Sequence, residues 1–198
     1  MGLDMYMYKF SKPRQTVAEL NQKSADKLRE AGYFVFFKDA EELPANFDAI
    51  KHFAVDVNVD ADYINFKKIR EDFHIPDDAH IIGESYSYEN IGYTFEFPST
   101  HEHKHIDIPT HVFEAKYVFT QKSEAFCLEG EQVGYWRKYY DLEDAFYKAC
   151  DTAIENCGYY PFNDKMWNVL QQYDEEQYTN VADYRDDPDC VICYHEWY

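Results

Sequence analysis

Residues 81–128 restrict the fold of this chain more than any other part of it. Runs rich in Tyr, Phe, Thr, Ile and Val alternate there with turn signals at 89–92, 98–99 and 109–110, close to the spacing of β-hairpins. The pattern predicts an antiparallel β-meander. Helical patterns lie before and after this region rather than between its strands. We therefore expect an α+β fold with helices packed on one side of the sheet, not a doubly wound parallel sheet.

Shorter patterns predict the elements on either side of the meander. Strands are predicted at 3–10, 33–37, 55–60 and 190–198, and short helical turns at 39–53. Helices are predicted at 16–31, 63–73, 142–157 and 164–173, because apolar residues recur there at a spacing of three to four. Their predicted caps are Thr16 with Glu19, Gly32, Asp141, Gly158 and Asn163.

The size and composition of the chain indicate one folded domain, which we assign to residues 1–198. A chain of 198 residues can close one hydrophobic core, and 19 Tyr and 15 Phe supply far more apolar surface than a disordered chain carries. No signal-peptide pattern and no run of about 18 apolar residues occurs. The 5 cysteines, without an export signal, are expected to be reduced thiols. These features predict a cytoplasmic protein without a membrane span.

The net charge of -19 is the strongest compositional feature. A field of this sign repels nucleic-acid phosphates and anionic membranes and attracts basic proteins. We therefore expect a basic protein partner and no direct binding of DNA or RNA. The charge is uneven, since Asp and Glu outnumber Lys and Arg by 14 to 3 in residues 141–198.

Two interpretations of this acidic region stay open. The carboxylates can serve solubility alone, as most charged surface runs do, or they can form a docking face. Tyrosines lie among them, and tyrosine buries a large area while keeping a polar handle. The candidate binding residues here are Tyr173, Glu175, Glu176, Tyr178, Tyr184, Asp186 and Asp187.

A row of histidines is the sharpest local motif. His101, His103 and His105 are two residues apart, so on a strand they project from one face, and Asp107 continues the row. Imidazoles in such a row can hold a divalent metal such as zinc, copper, iron or nickel, which would activate a bound water. His111 is a further candidate ligand. The alternative is a solvated strand face, because side chains two apart on one strand are about 7 Å apart.

The cysteines give a weaker metal signal. Cys190 and Cys193 have zinc-like spacing, but on a strand positions three apart point to opposite faces, and no second CxxC pair occurs. Cys150 and Cys157 are expected two turns apart on the apolar face of one helix, where core packing explains them. The sequence also contains no Gly-rich phosphate loop and no G-x-S-x-G, H-E-x-x-H or EF-hand motif.

The segment 135–140 places a cationic pair among aromatic residues. Trp136 and Arg137 are residue types that anchor interfaces or hold an anionic ligand. The alternative is structural: Arg137 pairs with a buried carboxylate such as Asp4, and Trp136 fills the core. On that alternative, Asp4 and Arg137 must lie close together in the fold.

Three short blocks resemble a group of small phage and prophage proteins. They are the opening string Met1-Gly2-Leu3-Asp4-Met5-Tyr6, the string Tyr135-Trp136-Arg137-Lys138 leading into Leu142, and the aromatic strand Val191 to Tyr198. The group has no established activity, so the resemblance implies a phage-like origin and a host-cell location rather than a reaction.

Charge and resemblance together favour a non-enzymatic, phage-type acidic binding protein that docks on a basic host protein. Such a protein can imitate the phosphate field of a nucleic acid or inhibit a host defence factor. The rival hypothesis is a hydrolase that depends on a divalent metal at the His101, His103 and His105 row. A structural or accessory protein without catalysis is the third.

Overall fold

The computed structural model describes residues 2–13, 20, 21, 23–39 and 42–198. The chain folds into two compact units, residues 1–59 with 123–198 (unit 1) and residues 60–122 (unit 2). Helices and antiparallel strands make up both, which confirms the α+β class. The single domain over 1–198 stays a prediction. None of the helices in the described ranges is long and apolar enough to cross a membrane.

Nine strands and seven α-helices are described, together with two 3-10 turns at Lys51–Phe53 and Ala182–Tyr184. The strands are β1 (Asp4–Ser11), β2 (Tyr33–Phe37), β3 (Val55–Ile64), β4 (His80–Tyr86), β5 (Asn90–Phe97), β6 (Glu102–Pro109), β7 (Val118–Arg137), β8 (Tyr159–Pro161) and β9 (Cys190–Trp197). The helices are α1 (Ala25–Glu30), α2 (Phe47–Ile50), α3 (Phe66–Phe73), α4 (Thr110–Tyr117), α5 (Tyr140–Ala149), α6 (Asp164–Tyr173) and α7 (Glu175–Val181).

The sheet of unit 1 is built around β1. Its strand order is β2-β7-β1-β9-β8, with β3 also paired to β7. β1 alternates as predicted, so Met5 and Met7 are fully buried on one face and Tyr6 and Tyr8 lie on the other. The first face, here the helix face, packs against apolar residues of α5, α6 and α7. The second, the aromatic face, carries rings from β1, β7 and β9 in contact with one another.

Gly130 lets β7 pass beneath aromatic rings of the neighbouring strands. A Cβ at this position would lie 2.6 Å from Cε2 of Phe34 and 2.7 Å from Cε1 of Phe10. Phe10 belongs to a buried cluster with Phe47 and Tyr159, and the partly buried Phe34 packs against that cluster. Any side chain at position 130 would therefore displace this cluster.

Unit 2 contains the predicted meander, but the meander ends earlier than expected. β4, β5 and β6 form an antiparallel three-stranded sheet, which confirms the prediction up to Pro109. The prediction of hairpins onward to Leu128 is wrong, since α4 occupies 110–117. Phe113 and Tyr117, one helical turn apart, are both buried in the core of unit 2, and this burial outweighs the strand-like composition.

Most of the remaining differences between the predicted and the observed elements concern where helices begin and end. Asn65 caps α3, with its side chain accepting from Lys68 N at 3.1 Å, so β3 extends through residue 64 into the predicted helix 63–73. The predicted cap at Asn163 is confirmed, since its side chain accepts from Met166 N at 2.9 Å. The predicted capping box of Thr16 and Glu19 lies outside the described residues, and α1 is capped by Ser24.

The predicted helix 142–157 is wrong beyond residue 149. Cys150 is extended, and the Asn163 side chain donates to Ala149 O at 2.9 Å, which satisfies the carbonyl at the end of the helix. Cys157 has a left-handed φ of 67° and its N–H donates to Glu196 O, which returns the chain to the sheet. Cys150 and Cys157 therefore do not share a helix face, and Cys157 is exposed.

Candidate functional site

The histidine row lies on the solvent side of β6 in unit 2. His103, His105 and Asp107 alternate with buried Ile106 and Ile108, as a strand with one wet face requires. His101 precedes the strand with a left-handed φ of 55°. The sequence therefore located the exposed face correctly, although His101 is outside the regular alternation.

The row divides into two small groups. His101 Nδ1 lies 3.3 Å and His103 Nε2 lies 4.0 Å from Oε1 of Glu96 on β5. His105 instead contacts Thr94 Oγ1 at 2.8 Å through Nδ1 and Asp107 Oδ1 at 3.2 Å through Nε2. Among the residues that the structure describes, no group of three or more His, Cys, Asp or Glu side chains is placed to hold a metal ion. The divalent-metal site at 101–107 stays a prediction, and His111 is exposed on α4.

The cysteines of β9 are not set up as thiolates. Cys193 is fully buried, and burial raises the pKa of its thiol. Burial likewise raises the pKa of Cys190 to about 11, with the Asp187 carboxylate adding to the effect. Protonated thiols are poor metal ligands and poor nucleophiles.

The acidic residues proposed for docking are exposed as expected. Glu175 and Glu176 form the first turn of α7, where the helix dipole favours negative charge, and Asp186 and Asp187 lie in the turn before β9. Within the described ranges, none of the four forms an ion pair with a lysine or arginine. Their charge is therefore available to solvent or to a partner.

The tyrosines between these carboxylates are engaged with the protein itself. Tyr173, Tyr178 and Tyr184 are all half-buried and pack against the core on the helix face. The ring of Tyr178 stands edge-on to Trp167 with centroids 6.2 Å apart. The ring of Tyr184 lies 4.5 Å below the Lys9 ammonium. These three side chains stabilise the fold, which leaves little of their surface for a partner.

Trp136 is a core residue with one polar contact. It is buried on the helix face, edge-on to Phe146, and its Nε1–H donates to Asp174 Oδ2 at 2.8 Å. Asp174 also accepts from Gln177 N at 3.0 Å as the N-cap of α7. The structural interpretation of Trp136 is therefore the one that the contacts favour.

Asp4 and Arg137 lie opposite each other on β1 and β7, as the structural alternative requires. Arg137 Nε is 3.7 Å from Asp4 Oδ1, yet the Arg137 side chain is 66% exposed. The closest contact to Asp4 is the Tyr135 hydroxyl, which donates to Oδ1 at 2.6 Å and whose own pKa this hydrogen bond raises. The pair exists, but it is not the buried ion pair that the sequence suggested.

Among the described residues of unit 1, Glu196 is the fully buried carboxylate, and sequence reasoning missed it. Both of its oxygens accept from phenols: Oε2 from Tyr194 at 2.7 Å and Oε1 from Tyr147 at 2.5 Å. Tyr198 also donates to Oε1 at 3.1 Å. The signal was present in β9, since Ile192, Tyr194 and Glu196 share one strand face and the first two are typical core residues.

A second carboxylate joins the same hydrogen-bonded chain. The Tyr198 hydroxyl lies 3.0 Å from Glu143 Oε1 and 2.7 Å from the Tyr147 hydroxyl, which in turn reaches Glu196. Each phenol has one proton to donate. Tyr147 donates its proton to Glu196 Oε1, and the single Tyr198 proton has three acceptors within reach: Glu143 Oε1, Glu196 Oε1 and the Tyr147 hydroxyl oxygen.

The electrostatics follow this arrangement. Partial burial raises the pKa of the Glu143 carboxyl, and the carboxylates of Glu196 and Asp144 add to the rise, against a lowering by the Tyr198 hydrogen bond. Burial and then the hydrogen bond to Glu196 raise the pKa of Tyr147 to about 12. The phenols are thus firm hydrogen-bond donors at neutral pH.

No family model matches this chain, and the searches among curated proteins and solved structures gave no match either.

Proposed function

We propose that this chain is a non-enzymatic, phage-type acidic binding protein that acts in the host cytoplasm by docking on a basic host protein. The observation that carries the proposal is the set of exposed carboxylates at the start of α7 and before β9. Glu175, Glu176, Asp186 and Asp187 have no cationic partner within the described part of the chain, in a molecule of net charge -19.

Electrostatics set what this surface can do. At about 0.15 M ionic strength a charge is screened beyond ~8 Å, so the acidic surface acts over short distances and speeds the encounter with a basic protein. Binding that depends on such charges weakens as salt rises. Imitation of a nucleic acid and inhibition of a defence factor are the two biological outcomes that this chemistry supports.

The test replaces the four carboxylates by amides. Glu175→Gln, Glu176→Gln, Asp186→Asn and Asp187→Asn together keep side-chain shape, and the amide oxygen at 187 can still accept from Asp189 N, which contacts it at 2.8 Å. The matched control removes four other exposed carboxylates that form no ion pair among described residues. They are Glu30, Asp39, Glu42 and Glu114.

We expect immobilised wild-type protein to capture basic proteins from host lysate at low salt and to lose them at high salt. The four-amide variant should lose this capture with an unchanged Tm, and the control variant should keep it. Equal capture by wild type, variant and control would assign these carboxylates to solubility and overturn the proposal.

A further inference from the structure

One face of α5 exposes tyrosines beside carboxylates. Tyr140, Glu143, Asp144 and Tyr147 follow the spacing of three, four and seven residues that brings side chains to one side of a helix. Tyr198 completes the group, because its hydroxyl contacts Glu143 and Tyr147. These five residues are called the α5 patch below.

The α5 patch is exposed where the tyrosines of the acidic C-terminal stretch are not. Tyr140 is 57% exposed, Tyr198 42% and Tyr147 40%. Tyr173, Tyr178 and Tyr184, by contrast, are packed against the core of their own unit. Large aromatic side chains that contribute to binding must be able to bury area against the partner, and of these two sets of tyrosines only the α5 patch can do so.

The patch is also held in place before any partner arrives. Tyr147 and Tyr198 are tied through their hydroxyls to each other and to the buried carboxylate of Glu196. Both side chains stay exposed to solvent, while the hydrogen bonds of their hydroxyls restrict their rotamers. A contact surface that is already ordered loses less conformational entropy on binding.

The charge of the patch selects its partner. α5 carries Asp141, Glu143 and Asp144 against one lysine, Lys148. Asp141 and Asp144 are exposed and form no ion pair within the ranges that the structure describes. Tyrosine ring faces attract cations, and carboxylates beside them accept hydrogen bonds from guanidinium or ammonium groups.

We propose that the α5 patch is the contact surface for an arginine- or lysine-rich segment of the basic partner. This inference rests on the function proposed above and adds where the contact is made. The exposed carboxylates of α7 and the turn before β9 steer the encounter, while the rings of Tyr140, Tyr147 and Tyr198 bury area against the stems and heads of basic side chains. Asp144 binds the charged group.

The experiment uses a labelled arginine-rich peptide of about twelve residues as the probe and a glutamate-rich peptide of equal length as its control. The patch variant is Tyr140→Ala with Asp144→Asn, since neither side chain takes part in the Tyr147, Tyr198 and Glu196 network. Thermal unfolding of this variant verifies that the fold is intact. The four-amide variant and its matched control are measured in parallel.

We expect the wild type to bind the arginine-rich probe and the patch variant to bind it about tenfold more weakly, the loss that truncation of an interface anchor produces. The four-amide variant should also bind the probe more weakly, chiefly through slower association, and with a smaller salt dependence. If the patch variant binds like the wild type while the four-amide variant does not, the patch is wrong and the acidic docking protein stands. If the wild type binds the arginine-rich probe no better than the glutamate-rich control peptide, the proposed function itself fails.

Discussion

The two faces of the unit 1 sheet each carry a carboxylate, and the two carboxylates differ in burial and in hydrogen-bond partners. Asp4 and Glu196 lie on adjacent strands, Asp4 on the aromatic face and Glu196 on the helix face. Asp4 has an arginine nearby and remains partly solvated, whereas Glu196 is entirely buried and is satisfied by three phenols instead of a cation. Burial of a carboxylate in this fold thus depends on neutral hydrogen-bond donors.

The difference has a physical cause. A buried ion pair must desolvate two charges, and the attraction between them often fails to compensate. Phenols bring no second charge, and their rings fill the same space as apolar core residues. The three tyrosines around Glu196 therefore fill the space beside it and also donate hydrogen bonds to it. At the opposite face of the sheet, the Arg137 guanidinium remains solvated.

Removing the buried carboxylate should have the largest effect. Glu196→Ala removes the acceptor of the fully buried Tyr194 hydroxyl and also leaves a cavity. An unsatisfied buried polar group costs about 1–3 kcal/mol, so we expect a loss of about 3 kcal/mol in the free energy of unfolding. Urea denaturation measures it. The comparison variant is Asp4→Ala, and an equal loss in the two variants would show that the faces do not differ.

Glu143→Gln should produce a smaller gain in stability that depends on pH. Because the folded pKa of Glu143 is raised, its contribution is complete below the unfolded pKa of about 4.3 and is lost as pH rises through the folded value. Glutamine cannot ionise and offers an N–H to Tyr198. We expect the variant to exceed wild type by about 0.5–1 kcal/mol at pH 7, the net value of one hydrogen bond, and to match it near pH 4. Thermal unfolding across that range measures the difference, and a variant less stable than wild type at pH 7 would refute a destabilising effect of the ionised Glu143 carboxylate.

Arg137→Ala should have the smallest effect. An exposed ion pair contributes about 0–1 kcal/mol, and the Tyr135 hydroxyl continues to satisfy Asp4. Denaturation of this variant should therefore fall close to wild type. A loss near the roughly 3 kcal/mol expected of a broken buried pair would mean that Asp4 and Glu196 depend on their partners equally.

Sequence patterns correctly predicted those secondary-structure features that depend only on the local order of residues. The alternation of β1, the Asn163 cap and the position of β9 each follow from local residue order, and the structure confirms them. The end of α5 and the helix at 110–117 depend on long-range contacts instead: Asn163 reaches back to Ala149, and Phe113 is buried by the core of unit 2.

The candidate site was predictable only in part. The exposure of Glu175, Glu176, Asp186 and Asp187 followed from charge alone. The inward packing of Tyr178 and Tyr184 could not be predicted from the sequence, because a tyrosine among carboxylates has the same local pattern whether it faces core or solvent. The link between Glu143 and Glu196 joins α5 to β9, and no spacing rule connects residues that far apart.

The central position of β1 has a consequence for synthesis. Asp4 pairs with Trp197 and Ser11 with Cys190, so β1 leaves the ribosome long before the strand that covers one of its edges. Until β9 emerges, that edge offers unpaired N–H and C=O groups, and Met5 and Met7 lack the helices that bury them. Unit 1 therefore completes its sheet only after translation of β9, and until then the open edge of β1 and its two methionines are surfaces on which a nascent chain can aggregate.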